Sequence, residues 1–347
     1  MNAQSSIRPA APVIAIVGAT GAVGAELIAC LEQRDVPLSA LRLLASPRSA
    51  GQVVPFRGAD LTIEALNDDS FEGVDIAFFS AGATISRRFA PLAVAAGARV
   101  IDNSSAFRMD EAVPLVVPEA NAAALADHAG LIANPNCVAA IATVALAPLQ
   151  QRWSISRLSL TTYQSASGAG AIAMEELRQG TAAALADTPF EPQVFPHPYA
   201  FNLFSHNAEI DPETGYNGEE LKVIAETRRI LGQPKLPIGV TCVRVPVLRA
   251  HSMAVTIRFE DHITPAQIRD CLAAAPGVRI VDDQATNHFP MPSEASGEDD
   301  VLVGRIRTDL GDPSGRSIAM FLSGDQLRKG AALNAVQIAE ALLAVPA

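Results

Sequence analysis

Cys137 ends the turn Asn134-Pro-Asn-Cys137 and precedes an alanine-rich apolar stretch, Val138–Leu149, that reads as a helix. A thiol at a helix N-terminus meets unsatisfied N–H groups and the positive end of the helix dipole. Both favour the thiolate, which is the nucleophile. The other cysteines, Cys30, Cys242 and Cys271, read as core filler, and none of the four falls in a C-x-x-C pair. His251 follows Arg244 by seven residues, across a short turn that lets both side chains approach one pocket. Arginine grips a carboxylate with a two-pronged fork, and histidine exchanges protons near neutral pH. Glu219 and Lys222 sit i, i+3 on one helix face, where a ligand site and a surface ion pair are both open readings.

A second constellation lies near the start of the chain. Val13–Val17 runs into Gly18-Ala-Thr-Gly21-Ala-Val-Gly24, and a helix follows. Glycines in such a turn let the backbone approach a pyrophosphate, which rests on free N–H groups of the helix start. Gly18, Thr20, Gly21, Ala22 and Val23 are the candidate contacts. The next strand, Leu41-Arg-Leu-Leu-Ala45, ends without the acidic residue that an NAD site uses on its ribose. Ser46, Arg48 and Ser49 follow instead, a guanidinium between hydroxyls that suits a 2′-phosphate, so NADP is expected.

The elements that must position these groups are visible in the patterning. Strands at Val13–Val17, Leu41–Ala45, Val74–Phe79, Arg99–Asp102 and Gly130–Ala133, with helices at Ala22–Gln33 and Phe89–Ala96, predict a Rossmann-like α/β domain with a parallel sheet. After residue 137, Leu158–Tyr163, Thr241–Pro246 and Met253–Phe259 alternate like strands of a mostly antiparallel mixed sheet in an α+β domain. Pro189–Pro212 reads as a long ordered loop, Gly218–Leu231 as a charged helix and Asp325–Leu343 as a helix returning to the first domain. The expected division is therefore 1–136 with 325–347 for the nucleotide, and 137–324 for catalysis and dimerisation.

The 347 residues suit two such domains, and 49% hydrophobic with 18% charged residues is the composition of an ordinary globular enzyme. The formal charge of −11 offers no footprint for nucleic acid. The first twelve residues read as a loose tail rather than a signal peptide, no apolar run approaches membrane-helix length, and a reducing cytoplasm is the expected setting. No metal is expected.

Several segments together resemble the aspartate-semialdehyde dehydrogenase family. They are Asn134–Cys137, Tyr163-Gln-Ser-Ala-Ser-Gly168-Ala-Gly170, Cys242-Val-Arg-Val-Pro-Val-Leu-Arg-Ala-His251-Ser252, Asp102-Asn-Ser-Ser-Ala-Phe-Arg108 and Lys329-Gly-Ala-Ala-Leu-Asn-Ala-Val-Gln337. The resemblance runs from about residue 12 to the end. It implies Cys137 as the acylated nucleophile, His251 as acid/base and Gln164 as the residue that orients the intermediate. It further implies Arg244 for the substrate carboxylate, Arg108 and Lys222 for phosphate, and Glu219 for the substrate amino group. Ser167, Gly168 and Gln326 would touch the cofactor, and the active unit would be a homodimer. Three positions depart from the family pattern: Val138, Ala250 and Met253 stand where Ser or Thr, Gly, and Glu or Gln are common. N-acetyl-γ-glutamyl-phosphate reductase and a weakly active or non-catalytic dinucleotide-binding paralogue are the competing readings.

Overall fold

The structure is a computed structural model and describes residues 11–344. Most of the expected N-terminal tail, residues 1–10, lies outside the described residues. The chain divides into two units, one of residues 1–135 and 331–347 and the other of residues 136–330.

The first unit is built on a sheet of β1 (Val13–Val17), β2 (Ala40–Ala45), β3 (Val53–Phe56), β4 (Ala59–Ala65), β5 (Ile76–Phe79), β6 (Arg99–Asp102) and β7 (Leu131–Ala133). Their order is β3-β4-β2-β1-β5-β6-β7, parallel throughout except for the β3–β4 pair. Side chains alternate across a strand, and the two faces of β1 accordingly feed different cores. Ile14 and Ile16 pack with Leu27 and Leu31 of α1 (Ala22–Gln33) and with Leu333, Val336 and Leu342 of the C-terminal helix Leu333–Ala344. Ala15 and Val17 pack with Phe89 and Ala93 of α2 (Ala83–Ala95).

Two features differ from the sequence reading. Helix α2 begins six residues before Phe89, because its first turns carry Ser86, a polar residue satisfied internally by Asp102 Oδ1 at 2.7 Å. The β3–β4 hairpin, turning at Arg57 and Gly58 with φ of 49° and 77°, adds an antiparallel edge that alternation with polar residues had hidden.

The second unit, entered after the short helix α3 (Pro118–Asn121) of the first, begins with α4 (Cys137–Arg152). Its sheet contains β8 (Ile155–Gln164), β9 (Phe204–Ser205), β10 (Ile238–Arg244), β11 (His251–Phe259), β12 (Val278–Ile280), β13 (Val301–Thr308) and β14 (Ser317–Gly324). The order is β12-β13-β14-β11-β8-β10-β9, with β8–β10 and β12–β13 parallel and the other pairs antiparallel. Alternate residues of β8 are buried (Leu158, Leu160, Thr162, Gln164), whereas Arg157 and Ser159 on the other face are exposed. Helices α5 (Ala171–Leu185), α6 (Gly218–Ile230) and α7 (Pro265–Ala273) and a single helical turn at Pro292–Ala295 also belong to the unit. Residues 325–330 belong here rather than with the first unit, because Asp325 accepts Arg249 Nε and Gly297 N–H, each at 2.6 Å. Among the described residues no helix is long and apolar enough to cross a membrane.

Candidate active site

Sheet register gathers the reactive side chains of the second unit. Strands β8 and β10 are parallel, and Gln164 pairs with Arg244 at their C-terminal ends. Strand β11 runs antiparallel to β8, so its first residue, His251, arrives at the same end and pairs with Gly324 of β14. The link from Arg244 to His251 is not a hairpin, because β8 lies between β10 and β11. It arches over the end of β8 instead. Val245 N–H donates to Gln164 O, while Val247 O and Leu248 O accept Ala166 N–H and Ser167 N–H at 2.8 and 3.0 Å.

Cys137 is the first residue of α4, partly exposed, and Asn136 is the N-cap. Asn136 Oδ1 accepts Val138 N–H at 2.9 Å and Ala139 N–H at 3.3 Å, satisfying two of the helix's free donors. Its Nδ2 donates to Glu219 Oε1 at 2.8 Å, and its backbone N–H donates to Glu226 Oε2 at 2.5 Å. Gly330 backs the nucleophile: a Cβ there would stand 2.8 Å from Cys137 Cβ.

Glu219 is buried and Lys222 exposed, and no ion pair joins them among the described residues. Glu219 Oε1 also faces Gln164 Nε2 at 3.5 Å, while Oε2 makes no hydrogen bond among the described residues. Asn217 and Glu220 form a capping box at the start of α6, which fixes the turn that presents Glu219.

Arg244 is buried at 4% exposure and held on three nitrogens: Nη1 by Ser165 O at 3.2 Å, Nε by Asn207 Oδ1 at 3.4 Å, and Nη2 by His206 Nε2 at 2.8 Å. Its guanidinium lies 5.5 Å from the Phe195 ring centroid. Five N–H groups less three leaves one on each terminal nitrogen, enough for a forked grip on a carboxylate. Burial lowers the pKa of Arg244, but a guanidinium is not deprotonated in proteins, and the group remains cationic. Both ring nitrogens of His206 face N–H donors, Arg244 at 2.8 Å and Ala208 at 3.2 Å; a neutral imidazole accepts at one nitrogen only, and the shorter contact to the Arg244 cation sets Nε2 as the acceptor. Burial, followed by the Arg244 charge, lowers its pKa to about 4. The long loop around residues 189–212 thus supplies the backing of Arg244. Glu176 of α5 anchors that loop by accepting the N–H groups of Gln193, Val194 and Phe195.

His251 is fully buried, and burial first, then the Arg244 and His206 charges, hold its pKa well below 6.5. Gly168 sits against it: a Cβ would stand 3.0 Å from His251 Nε2 and 3.1 Å from Arg244 Nη1. Ser167 and Gln326, expected beside the cofactor, are buried and bonded to each other. Sequence reasoning passed over Ser165, whose backbone N–H and hydroxyl both point at His251 Nδ1, at 3.1 and 3.0 Å. It also read Asn136 as a turn residue only, although Asn before an apolar helix is a capping signal.

The three departures have structural places. Val138 is buried with its N–H in the Asn136 cap. Met253 is a core residue of β11. Ala250 adopts the left-handed conformation at φ 72°, which explains why glycine suits this position. Cys242 is buried, and burial pushes its thiol up to about 12, as expected of filler.

In the first unit, Gly18 (φ 90°) could carry no Cβ without meeting Ser80 C at 2.9 Å, and a Cβ on Gly24 would fall 2.2 Å from Gly18 O. Gly21 is different: φ is −78°, and a Cβ would meet only Gly18 O at 3.4 Å. Nothing in the chain requires glycine there. The start of α1 has no side-chain cap, and Thr20, Ala22 and Val23 surround it. Ser46, Arg48 and Ser49 form a short turn after β2, in which Ser46 and Arg48 are exposed. Arg108 donates from Nε to Asn134 O at 2.9 Å and from Nη2 to Asn103 O at 2.7 Å. Asn134 itself bridges Asn103 Oδ1, Ala331 O and Asn334, a structural role.

Comparison with known proteins matches two family descriptions: "Semialdehyde dehydrogenase, NAD binding domain" over residues 13–128, and "Semialdehyde dehydrogenase, dimerisation domain" over residues 146–329. The aspartate-semialdehyde dehydrogenase of Synechocystis is 51% identical over 95% of this chain and 97% of its own. That of Bacillus subtilis is 45% identical over 95% and 96%. Among solved structures, aspartate semialdehyde dehydrogenase II of Vibrio cholerae, complexed with ASA, superposes with a TM-score of 0.92 at 40% identity. The match covers 96% of this chain and 98% of that one.

Proposed function

The chain belongs to the semialdehyde dehydrogenase family, and on that premise we propose that it interconverts 4-phospho-L-aspartate and L-aspartate 4-semialdehyde through a thioester on Cys137. The observation that carries this reading is the meeting of Gln164, Arg244 and His251 at one end of one sheet. The capped helix start that bears Cys137 adds to it, through the Asn136–Glu219 and Gln164–Glu219 contacts.

Each residue then has a chemical task. The Cys137 thiolate attacks the acyl-phosphate carbon, and phosphate leaves to give the thioester. Splitting one difficult displacement into two easier steps is the advantage of a covalent intermediate. Arg244 holds the α-carboxylate with its two remaining N–H groups. Glu219 Oε2 receives the substrate ammonium, which favours aspartate over an N-acylated substrate that has lost its charge. Gln164 orients the intermediate, and Arg108 and Lys222 supply cationic contacts to phosphate. When bound, the nicotinamide supplies the hydride that reduces the thioester.

The glycine at position 21 is explained by close approach of a dinucleotide to the α1 N-terminus, flanked by Gly18, Thr20, Ala22 and Val23. Ser46, Arg48 and Ser49 select NADP by meeting its 2′-phosphate. Ser167, Gly168 and Gln326 border the nicotinamide. The working unit is a homodimer, seated on the half-exposed face of the second sheet, where Arg157, Ser159, Thr161 and Tyr163 alternate with the core. A reducing cytoplasm suits its free thiol.

The test is phosphate-dependent reduction of NADP with aspartate semialdehyde, on the unaltered protein and on Cys137→Ala. Activity that survives the alanine change overturns the covalent mechanism, and activity confined to N-acetylglutamate semialdehyde reassigns the substrate.

A further inference from the structure

At the end of the second sheet remote from Gln164, two arginines sit where the fold gains nothing from them. Arg157 of β8 and Arg258 of β11 are direct cross-strand partners, both exposed on the same face. Like charges placed opposite one another, with Cβ atoms about 5 Å apart, destabilise a strand pair. The Arg157 side chain makes no hydrogen bond or ion pair among the described residues, and Arg258 reaches only Asp312, at 3.9 Å. Asp312 is itself engaged by the hydroxyls of Ser314 and Ser317, each at 2.7 Å.

The backbone is shaped to gather more of the same charge. From Arg157 to Ile155 strand β8 steps two residues while β11 steps one, from Arg258 to Phe259. This is a β-bulge, a device that re-aims side chains. It turns Ser156 and Arg157 outward in succession, between buried Ile155 and Leu158. Beside them Arg228 of α6 is fixed by donating from Nε to Leu236 O at 2.8 Å, and Arg316 by donating from Nη1 to Glu260 O at 3.0 Å. The four arginines line one cavity of about 640 Å³, with Ser156 and Tyr216, against a single carboxylate, Glu260. A cavity of about 360 Å³ on the other side of the pair is bordered by Asp309 and Asp312, so the larger one offers the positive field. That field stands against a net charge of −11 for the whole chain.

We infer that the larger cavity is a binding site for the phosphate group of a small metabolite, held between the forks of Arg157 and Arg258. Guanidinium forks match phosphate oxygens in pairs, and a dianion between them replaces repulsion with attraction. The volume falls in the range of small-molecule sites, so there is room for an organic body beyond the phosphate, against Tyr216. The site is separate from the reacting residues. Arg157 precedes Gln164 by seven residues of one strand, about 23 Å. It does not depend on the acyl-phosphate reading.

The experiment follows calorimetric binding and thermal unfolding of the full chain at constant ionic strength, with glycerol 3-phosphate, inorganic phosphate and chloride. The ester should bind and raise Tm, phosphate should do so more weakly, and chloride should do neither. Arg157→Ser and Arg258→Ser should each weaken ester binding about tenfold. Lysine at both positions keeps the charge without the fork and should bind between the arginine pair and the serine pair. Without ligand, the double serine variant should melt no lower than the unaltered protein, because a like-charge pair has gone. Arg108→Gln should leave ester binding unchanged, which separates this cavity from the phosphate contact of the reaction. Equal stabilisation by chloride, or ester binding that survives both serine changes, overturns the inference. A double serine variant that melts lower and dissociates into monomers assigns the arginines to the second copy on this face, and overturns it as well.

Discussion

Replacing Asn136 separates what the nucleophile's helix needs to fold from what its thiolate needs to form. Asn136→Ala removes the cap of α4, worth about 1 kcal/mol, together with the 2.8 Å donor to the Glu219 carboxylate. A hydrogen bond to a charged group contributes about 1.5–3 kcal/mol. The two effects share one side chain and do not add cleanly, so the expected loss is about 2–4 kcal/mol of unfolding free energy. Asn136→Asp keeps both acceptor contacts at Val138 and Ala139 N–H and suits the helix dipole. It also sets a second carboxylate against Glu219 Oε1 and beside Cys137. Aspartate should therefore keep the cap yet lose more thiolate than alanine does. Urea unfolding reports the first quantity, and the pH dependence of Cys137 alkylation, followed by peptide mass, reports the second. An unchanged midpoint for alanine, or faster alkylation in the aspartate variant at neutral pH, would refute the reasoning.

Three further outcomes are expected. Gly168→Ala places a methyl 3.0 Å from His251 Nε2 and 3.1 Å from Arg244 Nη1, two buried side chains with little room to give; kcat/KM should fall about tenfold or more, and Tm should fall with it. Ala250→Gly relieves a left-handed alanine at φ 72°. It should leave stability within about 0.5 kcal/mol of the unaltered protein, the relieved strain of about 1–2 kcal/mol being offset by chain entropy in the unfolded state and by loss of a buried methyl worth about 0.8 kcal/mol, as read from urea midpoints. His206 has a folded pKa of about 4, below its ordinary 6.5. Its contribution is therefore complete above pH 6.5 and lost as pH falls toward 4. The difference, 6.5 − 4, sets a ceiling of about 3 kcal/mol on that loss. His251, displaced in the same direction, adds to it, and His206→Asn should flatten the measured slope of stability against pH.

How much was legible depended on where each signal resides. Strands buried on both faces, such as Val13–Val17 and Ile76–Phe79, announce themselves as apolar runs. Strand β13 does not. Gly304, where a Cβ would strike Val281 O at 1.9 Å, and a register shift between Gly304 and Arg307 break its alternation. Helix α5 carries exposed Ile172 and Leu185, so its apolar residues do not trace one stripe. At the site, Cys137, Arg244 and His251 are chemically conspicuous in a bare sequence. Ser165 is not: its meaning depends on a ring 86 residues away. Asn134 looked like part of the nucleophile's motif, yet it is tied to Asn334, 200 residues on, a pairing no local spacing encodes.

The mixed pairing of the second sheet is what permits such a site. A fully antiparallel order would carry β10 directly back along β11 as a hairpin, leaving the end of β8 open to water. With β8 parallel to β10 and seated between it and β11, the link from Arg244 to His251 must cross the β8 terminus. That crossing satisfies the N–H groups of Ala166 and Ser167 and pins the segment carrying Gln164, Ser165 and Gly168 beneath it. Side chains in strands repeat with period two, so a one-residue slip of β10 would turn Arg244 to the half-exposed face now occupied by Val243. The same slip would withdraw Ser165 O from its guanidinium. The length of this six-residue crossing (245–250) is thus a constraint on chemistry as well as on packing. It also accounts for the left-handed Ala250, which redirects the chain from the arch into β11 one residue before His251.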